Sequence, residues 1–131
     1  MDVKEKVDYW LDIAFYDLDT AYVMLESKRF LYVGFMCHQV IEKILKAYFW
    51  NIKKEEPPYT HNLLILSERS EIENLLNEKQ IRLINDLMPL NIQARYPKDK
   101  DLLLKFLDYK KCEDLFEDTK EFYLWIKTLL K

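Results

Sequence analysis

The stretch Phe30–Asn51, FLYVGFMCHQVIEKILKAYFWN, decides the fold. At about 100° per residue, Val33, Cys37, Val40, Ile41, Ile44 and Tyr48 fall on one side of a helix. That apolar stripe predicts a long helix packed on others. Gln39, Glu42, Lys43 and Lys46 fall on the opposite side with Tyr32, Phe35 and Trp50. Charges alone would read as a solvated face, with Glu42–Lys46 and Gln39–Lys43 pairs contributing about 0.2–0.5 kcal/mol each. Three aromatics on the same side would leave an apolar patch in water. Such a face either meets a partner or lines a polar cleft.

Working outward, the N-terminal side reads as a helix from Asp2 to about Ser27, with Val3, Val7, Trp10, Ala14, Leu18, Ala21 and Leu25 at spacings of three and four. Asp2 is its expected cap, and Glu5 completes a capping-box pattern. Gly34 lets a neighbouring helix approach closely. On the C-terminal side, Lys53, Lys54, Pro57 and Pro58 stop the helix. Thr60 then caps a short helix, His61–Ser67, and Glu68–Glu73 form a polar connection. A further helix spans Leu75–Met88, with Leu76, Ile81, Ile84 and Leu87 or Met88 inward, and Pro89 ends or kinks it. Leu90–Asp101 reads as irregular, and Leu102–Leu107 as an added helical turn. Asp108 caps a last helix over Tyr109–Leu130, whose stripe is Cys112, Leu115, Phe116, Thr119, Phe122, Ile126 and Leu129. The prediction is an all-α, up-and-down bundle of three long and about two short helices.

Length and composition agree. At 131 residues the chain is expected to form a single domain, residues 1–131. One glycine and four prolines disfavour many short strands. The net charge of -3, with interspersed signs, argues against a duplex nucleic acid held by a basic stripe. Cys37 and Cys112 sit in apolar helical patterns and are expected to be buried, reduced thiols. Two isolated histidines suggest no metal site. One glycine cannot build a phosphate-cradling loop, and no cofactor is expected. The N-terminus lacks a signal-peptide pattern and no long apolar run spans a membrane, so a cytoplasmic location is expected.

Four strings, in order, resemble the HEPN domain family in its prokaryotic, stand-alone form. They are Trp10, Ala14, Asp17, Leu18 and Ala21; Phe35 with His38–Gln39–Val40–Ile41–Glu42–Lys43–Ile44–Leu45–Lys46–Ala47; Thr60–His61–Asn62–Leu63; and Ala94–Arg95–Tyr96–Pro97. The resemblance implies a helical bundle that commonly forms a homodimer. It also implies a cytoplasmic partner of a small nucleotidyltransferase, in a two-part system akin to a toxin–antitoxin pair. Ribonuclease relatives carry an arginine, roughly four to six residues and then a histidine, about one to two helical turns apart. Here Arg29 precedes His38 by nine positions, and no pair in that order is closer.

The expected function is therefore a noncatalytic nucleotide- or nucleic-acid-binding module working with a nucleotidyltransferase. The alternatives are a divergent metal-independent ribonuclease and a purely structural interaction subunit. The expected ligand residues are Gln39, Glu42, Lys43, Lys46, His61, Arg95 and Tyr96, and the expected interface residues are Tyr32, Phe35 and Trp50. Lys43 or Lys46 and Arg95 would neutralise phosphate, His61 and Gln39 would orient it, and Tyr96 would pack on sugar or base. His61 at a helix start reads either as a functional neutral imidazole or as a loop anchor. Arg95 and Tyr96 read either as a phosphate clamp or as a pinned loop. His38 reads as a partly buried structural residue.

Overall fold

Helix α1 (Val3–Glu26) begins at the predicted capping box. The Asp2 carboxylate accepts from the Glu5 backbone N–H at 2.8 Å, and the Glu5 carboxylate accepts from the Asp2 N–H at 3.4 Å. Such a cap contributes about 1 kcal/mol. A computed structural model describes residues 1–93 and 95–130. After α1 follow α2 (Phe30–Lys53), α3 (Leu63–Arg69), a 3-10 turn (Ile72–Leu75), α4 (Glu78–Leu87), α5 (Leu90–Gln93), α6 (Lys100–Phe106) and α7 (Tyr109–Leu129). The three long helices are those the periodicity predicted, and the fold is an all-α bundle.

Helix α2 is the central rod. It packs most extensively on α1 and next on α7, and it also touches α3, α4, α5 and α6. A rod covered from so many sides has little solvated face. Hence fifteen of its residues are buried, among them His38, Glu42, Lys46 and Trp50. Opposite α2, α7 buries Cys112, Leu115, Phe116, Thr119, Phe122, Tyr123 and Ile126. Both cysteines are free and buried. Burial pushes each thiol up to about 12, so neither behaves as a reactive thiolate.

The single glycine serves packing. A Cβ on Gly34 would stand 2.7 Å from Leu90 Cδ1, so its absence sets how closely α5 approaches α2. The sharp turns use other residues in left-handed backbone: Lys28, Lys54 and Glu71, with φ of 59°, 60° and 65°.

Several boundaries differ from expectation. Helix α3 starts at Leu63, because Asn62 Oδ1 accepts from the N–H groups of Leu64 and Ile65 and is the cap. Thr60 instead supports Asn62, accepting from its N–H at 3.1 Å. Helix α4 starts at Glu78 behind an Asn77–Gln80 capping box, which turns Leu83, Ile84 and Leu87 inward and leaves Ile81 exposed. The segment after Pro89 holds α5, and α6 begins at Lys100 because the Asp99 carboxylate accepts from the Leu102 N–H.

Candidate functional site

The polar side of α2 does not face open water. Where α1 crosses it, Lys43 donates to Asp17 Oδ2 at 3.3 Å and to Gln39 Oε1 at 2.9 Å. Gln39 then donates through Nε2 to Asn91 Oδ1 at 3.2 Å. Asn91 lies in α5, and its backbone carbonyl accepts from Arg95 Nε at 2.8 Å. One hydrogen-bonded chain thus runs from α1 across α2 to the segment that carries Arg95.

A second branch starts one helical step away. Glu42 is buried, and its carboxylate accepts from Lys46 Nζ at 3.1 Å. The Lys46 ammonium lies 5.2 Å from the centre of the Trp10 ring. The other Glu42 oxygen is 3.0 Å from His61 Nδ1. A carboxylate can only accept, so Nδ1 carries the hydrogen and Nε2 is the ring nitrogen left for a ligand. The Glu42 side chain is 2% exposed and that of His61 63%, so a fixed buried acid orients an accessible imidazole. His61 precedes the cap of α3, so its partner is this carboxylate and not the helix terminus.

His38 sits behind these groups, buried, with Nδ1 3.9 Å from Glu42. Burial lowers its pKa from 6.5 to about 4, outweighing the nearby Glu42 charge that favours the protonated ring. It is a neutral residue of the interior, more deeply buried than the sequence suggested. Burial also raises the Asp17 carboxyl above its ordinary range, against the pull of the Lys43 ammonium.

The structure therefore gathers these residues in two branches, Gln39, Lys43 and Arg95 through Asp17 and Asn91, and Glu42, Lys46 and His61 around one carboxylate, but it distributes their charges differently from expectation. Lys46 is enclosed between Glu42 and Trp10, and Lys43 is paired with Asp17. Arg95 forms no ion pair among the described residues. Its guanidinium lies 5.2 Å from the Phe35 ring centre and 5.6 Å from that of Tyr96. Tyr96 stands outside the hydrogen-bonded chain, exposed beside Arg95. Ala94 lies outside the described residues.

The three aromatics grouped on one outward face part company. Trp50 is buried in the core with Lys6 over its ring at 5.6 Å, because the end of α2 is covered by α1. Phe35 is half-buried near Arg95, and Tyr32 is exposed. Two site members escaped the sequence reading. Asp17 carried a signal: an acid in register with Trp10, Ala14 and Ala21 needs a cation across the helix interface. Asn91 carried none, since the short helix that aims it was not legible. Among the described residues, no three acidic, histidine or cysteine side chains gather as metal ligands. No helix among them is long and apolar enough to cross a membrane.

A family model for the HEPN domain matches residues 7–129, nearly the whole chain. The chain belongs to the HEPN family. That membership carries a nucleotide- or RNA-related function, and HEPN domains often dimerise. Neither a curated protein nor a solved structure matched the chain. The strings that suggested the family, around Asp17, Gln39–Lys46 and His61, are those whose side chains meet in the site.

Proposed function

We propose that this HEPN chain is a noncatalytic module that binds a nucleotide, or the nucleotide end of an RNA, and acts with a separate nucleotidyltransferase. The observation that carries the reading is Arg95. It is the one cation of the polar chain with no carboxylate partner among the described residues. Its Nε is fixed to Asn91, which leaves the terminal N–H groups to grip a phosphate in bidentate fashion. His61 Nε2 supplies a second polar contact from the Glu42 branch, and the amide of Gln39 supports the first branch by holding Lys43 and Asn91. Tyr32 and Phe35 supply the apolar part of a homodimer seam. The setting is a cytoplasmic two-part system of the toxin–antitoxin type.

Calorimetric titration with ADP and with a short RNA tests this. Binding that weakens by at least ten-fold in Arg95→Ala, with the fold intact by circular dichroism, is the expected result. Undetectable binding of both at millimolar concentration overturns the reading.

The Glu42–His61 pair supports a second reading, because a buried acid that orients an exposed imidazole also suits proton transfer. A divergent metal-independent ribonuclease would cleave RNA and lose that activity in both His61→Ala and Arg95→Ala.

A further inference from the structure

Beside Tyr96, residues of α5, the 96–99 segment and α6 line an open cavity of about 470 Å³. Its wall is mostly apolar: Ile92, Tyr96, Pro97, Leu102, Leu103 and Phe106. Four of these large side chains are more than half exposed, namely Ile92 at 62%, Tyr96 at 72%, Leu102 at 63% and Phe106 at 56%. Small-molecule sites are concave, largely apolar and of roughly 300–1,000 Å³, with a few polar groups placed to orient the ligand. Gln93, Lys98 and Asp99 stand in that role here.

What selects the occupant is the neighbour. Tyr96 lines the cavity, and its ring centre is 5.6 Å from the Arg95 guanidinium, a cation with no ion pair among the described residues. A ligand that satisfies both features has an anionic end and a flat apolar body attached to it. An isolated phosphate leaves the four apolar side chains wet, and a neutral apolar molecule leaves Arg95 unused. A nucleobase stacked on an aromatic side chain and linked to its phosphates meets both demands. Aromatic walls offer stacking without a full set of base-edge hydrogen bonds, so the preference expected is for a base as such, whichever base it is.

We propose that this cavity between α5 and α6 is a nucleobase pocket, with Tyr96 as its stacking wall and Leu102 and Phe106 as its floor. The proposal rests on Arg95 as the phosphate contact. Because α5 also carries Asn91, the same short helix sets the position of the phosphate grip and of the base pocket. Gly34, by letting Leu90 approach α2, seats that helix.

The test compares ADP with inorganic pyrophosphate by calorimetric titration. The wild-type chain is expected to bind ADP on the order of ten-fold tighter than pyrophosphate. The double variant Leu102→Gln/Phe106→Ser changes exposed side chains only and should fold. It is expected to bring ADP affinity down to that of pyrophosphate and leave pyrophosphate unchanged. Arg95→Ala is expected to weaken both. Equal wild-type affinities for the two ligands, or an undiminished ADP preference in the double variant, overturns the pocket while leaving the phosphate reading in place. Binding of neither ligand overturns both. Sedimentation of the same double variant gives a further outcome. Loss of a dimer with ADP affinity unchanged would assign the cavity to a second copy of the chain and overturn the proposal.

Discussion

Glu42 Oε1 lies 3.0 Å from His61 Nδ1, so a carboxylate sealed inside the bundle steers an imidazole on its surface. The other oxygen of Glu42 holds Lys46, so one buried acid anchors a buried cation and an exposed ring together. Removing the acid leaves the buried Lys46 ammonium without a carboxylate, and removing the lysine leaves Glu42 with His61 as its hydrogen-bond donor.

Glu42→Ala is expected to lower stability by roughly 3–5 kcal/mol, because it leaves the Lys46 ammonium unpaired in the interior. The double replacement Glu42→Leu/Lys46→Met should recover most of that loss, since apolar residues of similar volume avoid the desolvation penalty. Urea denaturation of the three proteins measures the difference. A single variant as stable as wild type would show that Lys46 reaches water.

Acid should weaken the fold through His38. Its folded pKa is lowered from 6.5 to about 4, first by burial. Between those values the unfolded chain binds a proton that the folded chain refuses, so stability falls as pH drops from 6.5 towards 4. The group accounts for roughly 3 kcal/mol across that window. Asp17 works in the opposite sense near its own range, because burial raises its pKa and the folded chain takes up that proton first. Urea midpoints at pH 7 and pH 4.5 should differ clearly for wild type and much less for His38→Gln. Equal pH dependence in the two proteins would remove His38 as the cause.

Filling the space at Gly34 sets two effects against each other. Alanine gains about 1 kcal/mol of helix propensity. Its Cβ forces the buried Leu90 side chain aside, and such overpacking costs roughly 1–3 kcal/mol. Gly34→Ala should be near neutral or slightly destabilising, and Gly34→Val should be destabilised by at least 1–2 kcal/mol, about the lower half of the overpacking range. Thermal melts decide this. A valine variant as stable as wild type would mean that α5 moves freely against α2.

The left-handed turns offer the reverse experiment. Lys54 ends α2 with φ 60°, donating its N–H to the Trp50 carbonyl at 3.0 Å. Lys28 has φ 59° in the turn between α1 and α2. Glycine adopts this conformation without steric penalty. Lys28→Gly and Lys54→Gly should each raise stability by about 1 kcal/mol, seen as a shift of the urea midpoint at unchanged slope. No gain in either would show that these turns are set by contacts of the lysine side chains.

Helix existence was legible because its code is local. Asp2 with Glu5, and Asp108 with Lys111, place caps within three residues of the groups they satisfy. The stripe of α7 from Cys112 to Ile126 repeats at helical spacing and is buried as read. Local signals also misled. Thr60 and Asn62 are both good caps, and only the backbone geometry chose Asn62. Most of the site was readable as residue names, from Gln39 to Lys46 and at His61 and Arg95, and so were the local pairs Glu42–Lys46 and Gln39–Lys43, yet the partners distant in sequence were not. Asp17 meets Lys43 across 26 positions and Gln39 meets Asn91 across 52.

The chain of residues alone determined that three long amphipathic rods form and, to within two residues, where their ends lie, α2 running on from the expected Asn51 to Lys53, since a 3.6-residue period and a cap act over one or two turns. Tertiary structure alone decided that α2 is enclosed on nearly every side. That enclosure turned Lys46 and Trp50 inward and paired Lys43 with Asp17, while Arg95, on the segment after α5, forms no ion pair among the described residues. The reason is that charge pairing depends on which rods lie side by side, and a periodic helix offers several neighbours the same surface until the whole bundle has packed.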